Sequence, residues 1–111
     1  MSILLKTPEG DFINITRGKN ICLYLAPEGF PGYTRGTNLF MHISPSGRRY
    51  FYTYRWSLWA GEDPAIIELI SEEEARDFLL KRAQWSGLEG LKPVEIELAK
   101  KIFPGSFEET T

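Results

Sequence analysis

Through the first seventy positions the apolar residues come in short runs, and after that they recur at helical spacing. The runs "ILLK", "DFINI", "ICLYL", "LFMHI" and "RRYFYTYRW" are rich in β-branched and aromatic residues, which suit a pleated, half-buried surface. A small residue, Pro, any residue and Gly stand between them three times, as "TPEG" at 7–10, "APEG" at 26–29 and "SPSG" at 44–47. Proline presets the second position of a type I turn, and glycine takes the left-handed conformation that closes a bulged hairpin. The first and third copies therefore read as hairpin turns. The second opens "EGFPGYTRGTN", where a further proline and three glycines indicate a longer loop. The pattern predicts strands near 3–6, 11–15, 20–25, 38–44, 48–59 and 66–70, with "AGEDPA" turning the chain at 60–65.

The period then changes. "SEEEARDFLLKRAQWSG" places Ala75, Phe78, Leu79, Arg82 and Ala83 on one helical face, with only Arg82 out of character. Ser71 and Glu74 have the spacing of a capping box, so a helix is expected over 72–86, stopped by Gly87. A second is expected over 93–103, opened by Pro93, striped by Val94, Leu98 and Ile102, and ended by Pro104-Gly105. The tail 106–111 reads as frayed. Strands followed by helices predict an α+β class: a mostly antiparallel sheet of five to six strands over 3–70, with both helices on one face.

The 111 residues fit one domain, in which 1–37 supply N-terminal strands and a loop and 38–105 the hairpin, last strand and helices. A net charge of −2 hides an asymmetry. Through Ala60 there are seven basic and three acidic residues, a balance of +4, whereas Gly61 onward carries six and twelve, a balance of −6. Opposite signs in one chain suit a protein partner or self-association. Cys22 is the single cysteine, so no disulfide framework exists; its apolar neighbours predict a buried thiol in a reducing, cytoplasmic setting. No run approaches the roughly 18 apolar residues of a membrane span, and "MSILLKTPEG" lacks the basic start of a signal peptide.

Candidate chemistry is sparse. His42 is the one histidine and reads as a half-exposed strand residue, with no local nucleophile or carboxylate to make it a general base. One Cys and one His are too few for a zinc site. Glu72, Glu73 and Glu74 splay about 100° apart on a helix and serve its dipole rather than a metal. No phosphate loop or dinucleotide fingerprint occurs, so neither a cofactor nor an enzyme is expected. "RRYFYTYRWSLW" at 48–59 is the unusual segment. As a strand it puts Arg48, Tyr50, Tyr52, Tyr54 and Trp56 on one side, and Arg49, Phe51, Arg55 and Trp59 on the other. Arginine beside aromatic rings is the composition of binding hot spots and of surfaces that stack unpaired bases. Arg48, Arg49, Tyr50, Tyr52, Tyr54, Arg55, Trp56 and Trp59 are accordingly the candidate binding residues. A non-enzymatic protein-interaction module is the leading expectation, and nucleic-acid binding through the basic sheet face is the alternative.

The stretch "YFYTYRWSLWAGED", with "IIELISEEEARDFLLKRA" and then "KKIFPG", resembles a group of small bacterial proteins associated with mobile-element or phage-like settings, for which no activity is assigned. The likeness rests on Gly47, on Tyr50 to Trp56, on Ser71 to Ala75, on Phe78 and on Ile102 to Gly105, and covers about the last 70 residues. It departs from the group's pattern at Phe78, at Pro104 and throughout roughly the first 37 residues. It implies a hairpin–strand–helix order and carries over no functional residue.

Overall fold

A computed structural model describes residues 2–29, 32–62 and 64–107. The fold is α+β, with six strands and two α-helices among the described residues. The strands are β1 (Leu4–Lys6), β2 (Phe12–Asn14), β3 (Lys19–Tyr24), β4 (Arg35–Ile43), β5 (Arg49–Ser57) and β6 (Ala65–Ile70). They divide into a two-stranded ribbon β1-β2 and a four-stranded antiparallel sheet in the order β3-β4-β5-β6. Helices α1 (Glu72–Ala83) and α2 (Pro93–Ile102) follow, with a short 3-10 turn at Gly87–Glu89 between them.

The proline-glycine corners fold as their chemistry requires. In the first, Thr7 N–H donates to the Asp11 carbonyl at 2.7 Å and Gly10 takes a φ of 94°. In the third, Gly47 N–H donates to the Ser44 carbonyl at 2.8 Å with a φ of 89°. Both joints are hairpins with a left-handed glycine. The middle copy lies in the loop after β3, where Gly29 and Tyr33 form an isolated bridge; Phe30 and Pro31 of that loop lie outside the described residues.

Alternation along β4 and β5 sorts their side chains to opposite faces. Leu39, Met41 and Phe51 face the helices and join Leu23, Ala75, Leu79, Ala99 and Ile102 in the main core. Phe40, Tyr50 and Tyr52 face the ribbon and pack with Leu5, Ile13 and Ile15. The ribbon is thus a cover on the second face, not a continuation of the sheet. Its three-residue strands pair Leu5 with Ile13, which places both on the inner side.

The expected capping box forms: Glu74 N–H donates to Ser71 Oγ at 3.0 Å, and Ser71 N–H to Glu74 Oε1 at 3.1 Å. Helix α1 ends at Ala83, three residues short of the expectation, and Ala83 is exposed. The inward face of α2 is also rotated from the expected stripe. Val94 is 73% exposed, while Glu95, Ala99 and Ile102 are buried. The reason is hydrogen bonding: the Glu95 carboxylate accepts from Lys92 N–H and Leu25 N–H, both at 2.9 Å, tying α2 to the end of β3. The tail is not wholly frayed, since Phe107 packs against Phe103 with ring centroids 6.4 Å apart. Residues 108–111 lie outside the described residues.

The sequence asymmetry of charge closes on itself within the chain. Arg35 pairs with Glu62 at 2.5 Å, Arg49 with Glu72 at 2.6 Å and Arg55 with Glu68 at 3.7 Å. Each joins a basic residue of the first part to an acidic one of the second. These pairs are solvent-exposed, so solvent and salt screen them and each adds little to stability.

Candidate interaction surface

Strand β5 does not display one continuous arginine-and-ring ridge. Tyr52 is buried beneath the ribbon and stacks on Phe40, with ring centroids 5.2 Å apart and planes within 9°. Tyr50 and Tyr54 are half-buried on the same face. Arg48 and Arg49 stand at one end of the strand, Arg48 over the Tyr50 ring at 5.4 Å and Arg49 held by Glu72. Arg55 and Trp56 lie at the other end, about 20 Å away at the rise of an extended strand.

The second end is where a site takes shape. The helices cover the sheet only as far as the last turn of α1, which leaves a cleft of about 720 Å³. Its floor comes from the start of β4 and the end of β5, including Thr37, Arg55, Trp56 and Ser57. One wall is Arg82, Trp85 and Glu89 from the end of α1 and the turn after it, and the other includes Pro27 and Tyr33 from the long loop. Gly36 lies opposite Trp56 in the β4–β5 register. A Cβ at Gly36 would drive into the Trp56 indole and come within 2.9 Å of the Ala26 methyl, so the missing side chain is what lets the indole lie there. Trp56 Nε1–H and Ala26 N–H both donate to Asn38 Oδ1, at 3.2 and 2.9 Å, which locks the floor.

Arg82, the residue out of character on the apolar face of α1, does point inward. Its guanidinium lies over the Phe78, Trp85 and Tyr24 rings at 3.5, 4.7 and 5.1 Å. Desolvation lowers its pKa, partly opposed by the Tyr24 hydroxyl. Its Nε has no hydrogen-bond partner. Tyr24 in turn donates to the Glu89 carbonyl at 2.6 Å, fixing the turn beyond α1. Arg35 donates to Glu62 through Nε at 2.9 Å and Nη2 at 2.5 Å, and the Ser57 hydroxyl also donates to Glu62. These bonds hold the Glu62 carboxyl down to about 2, so it stays ionised beside the cleft. Trp59 lies next to this pair, 5.9 Å from Arg35, with Nε1–H donating to Thr34 Oγ1 at 2.8 Å.

Of the eight residues expected to bind, Arg55 and Trp56 line the cleft and Trp59 sits beside it; Arg48, Arg49, Tyr50, Tyr52 and Tyr54 do not. Tyr33, Arg35, Arg82 and Trp85 complete it from separate segments. The only forewarning among them was Arg82, a charge on an otherwise apolar helical stripe.

A second hollow, of about 860 Å³, runs between the first hairpin turn, the β4–β5 turn and the start of α1. It brings Lys6, Arg48 and Arg49 against Glu9, Glu72 and Glu74, so its charges largely neutralise one another.

The expectations for Cys22 and His42 are both reversed. Cys22 is exposed: ahead of the register break it opposes Phe40 on the ribbon side of the sheet, while Leu23 and Tyr24 after it are buried in the main core. His42 is 1% exposed. Its Nδ1 lies 2.9 Å from Asn20 Oδ1, directly across the β3–β4 ladder, and desolvation lowers its pKa. The two lie diagonally on one sheet face, since Cys22 opposes Phe40 and Asn20 opposes His42. Desolvation raises the Cys22 thiol above its ordinary value, the reverse of what activates a nucleophile. Among the described residues no three His, Cys, Asp or Glu side chains gather as a metal site, and no helix is long and apolar enough to cross a membrane.

No family model, curated protein or solved structure matches the chain, so nothing outside the molecule bears on its likeness to the mobile-element-associated group.

Proposed function

We propose that the chain is a non-enzymatic interaction module whose recognition surface is the cleft at the open end of the sheet. The observation that carries this reading is that two arginines and two tryptophans from β5 and from the end of α1 line one cleft, Arg55 and Trp56 from the strand and Arg82 and Trp85 from the helix end, with the Arg82 guanidinium 4.7 Å from the Trp85 ring. Rigid indoles provide apolar contact at small entropic cost, while guanidinium groups favour carboxylates. The partner suited to such a lining is an extended protein segment bearing acidic residues beside apolar ones. Stacking of unpaired bases along β5 would need an open sheet face, and the middle of the strand is covered on both sides, Phe51 by the helices and Tyr52 by the ribbon.

Selection from a random displayed-peptide library tests the reading. Acidic, apolar-rich peptides are expected to emerge. Trp85→Ala and Arg55→Glu, both at exposed positions, should each weaken the selected peptides at least about tenfold. Peptides that bind both variants as tightly as the parent would place recognition elsewhere.

A further inference from the structure

The two edges of the four-stranded sheet are treated differently. The β3 edge is guarded by Lys19, by the register break between Cys22 and Tyr24, and by α2, whose Glu95 and Lys92 hold the Leu25 backbone N–H and carbonyl. Charges, bulges and covering elements are the devices that keep an edge from pairing. Strand β6, "AIIELI", has no bulge in its register, no proline or lysine, and Glu68 as its single charge.

Its hydrogen bonds follow from the ladder. Ser57 N–H donates to the Pro64 carbonyl at 3.2 Å, and antiparallel bonding then alternates through Ile66, Glu68 and Ile70 opposite Arg55, Thr53 and Phe51. The other edge of β5 agrees: Ser44 N–H donates to the Arg48 carbonyl, so the even-numbered residues of β5 bond to β4. The N–H and carbonyl groups of Ala65, Ile67 and Leu69 therefore point away from the sheet. Among the described residues none of them has a hydrogen-bond partner on that outer side.

We propose that β6 pairs antiparallel with β6 of a second copy, about a twofold axis at Ile67, joining two four-stranded sheets into one of eight. A second copy is the occupant because the strand is self-complementary in this one register. With Ile67 opposite Ile67, Ala65 opposes Leu69, and all three outward residues of each copy find partners, giving about six backbone hydrogen bonds. Glu68 then faces Ile66 of the other copy. An axis at Glu68 would instead set two carboxylates directly opposite, which is unfavourable. Each Glu68 also keeps its own Arg55 at 3.7 Å. The surface is separate from the peptide reading above, although Ile66 borders the cleft.

Sedimentation equilibrium of the full chain from micromolar to millimolar concentration tests it, with mass as the readout. Ile66 is 40% exposed, so charged variants there keep the core intact, which circular dichroism checks. A dimer is expected. Ile66→Glu, which meets Glu68 twice across the axis, should raise its Kd about tenfold, whereas Ile66→Lys should leave it equal or tighter. Trp85→Ala, which impairs the cleft, should leave the mass unchanged. A monomer throughout the range overturns the proposal. So does a dimer that both Ile66 variants weaken equally, or that neither alters.

Discussion

The two faces of the central sheet are covered by unequal layers. On one, α1 and α2 seat Ala75, Leu79 and Ala99 against Leu39 and Phe51, and Ala75 and Leu79 are wholly buried. On the other, a ribbon of two three-residue strands brings, among the described residues, three apolar side chains, Leu5, Ile13 and Ile15, and the polar Thr7 to below a tenth exposed. An isolated two-stranded hairpin is marginal in water, so the ribbon depends on the rings of β4 and β5 as much as they depend on it. A thick cover can be incomplete and still hold, which is how the helical face leaves a cleft at its far end. The thin cover buries Tyr52 at the middle of β5 and leaves Tyr50 and Tyr54 on either side half-buried.

Truncating the anchor of each layer gives the largest expected effect. Leu79→Ala should cost about 3–4 kcal/mol by urea denaturation, and Leu5→Ala about 2 kcal/mol, because the thin ribbon can settle into the space left behind. Equal losses would mean that the two covers are equally rigid. Ser71→Ala removes the acceptor of the Glu74 N–H at the start of the helical layer and should cost about 1 kcal/mol. The finest contrast is one of pH. His42 lies on the ribbon side, and its pKa is lowered in the folded chain by desolvation. The unfolded chain therefore binds the proton more readily, so stability should fall as pH drops through about 6.5 and recover above it. A His42→Gln variant should lose that slope while keeping the rest of the pH profile. A parent whose stability is flat from pH 5 to 7.5 would show that His42 carries no such linkage.

Features governed by neighbours in the chain were legible in advance. The proline-glycine corners, the Ser71–Glu74 box and the start of α2 at Pro93 depend on contacts within a few residues, and each appears where its spacing placed it. The candidate surface was legible only in part. Arg55 and Trp56 could be singled out because they sit in one crowded strand, but Tyr33, Arg35, Arg82 and Trp85 converge on them from loop, strand and helix. Tyr52 shows the converse error: a conspicuous ring in the sequence became packing once a ribbon lay over it.

His42 and Cys22 make the same division at the level of single residues. Alternation could tell which neighbours share a face, but it could not tell that the β3 register breaks after Cys22 or that the ribbon covers the face holding His42. The chain alone determined its strands, corners, caps and the overall α+β order, because turn geometry and hydrophobic period act over short separations. Which face the ribbon covers, which edge is left open and which segments line the cleft were decided by the tertiary structure. Those outcomes depend on surfaces brought together from more than twelve residues apart, where no local preference reaches.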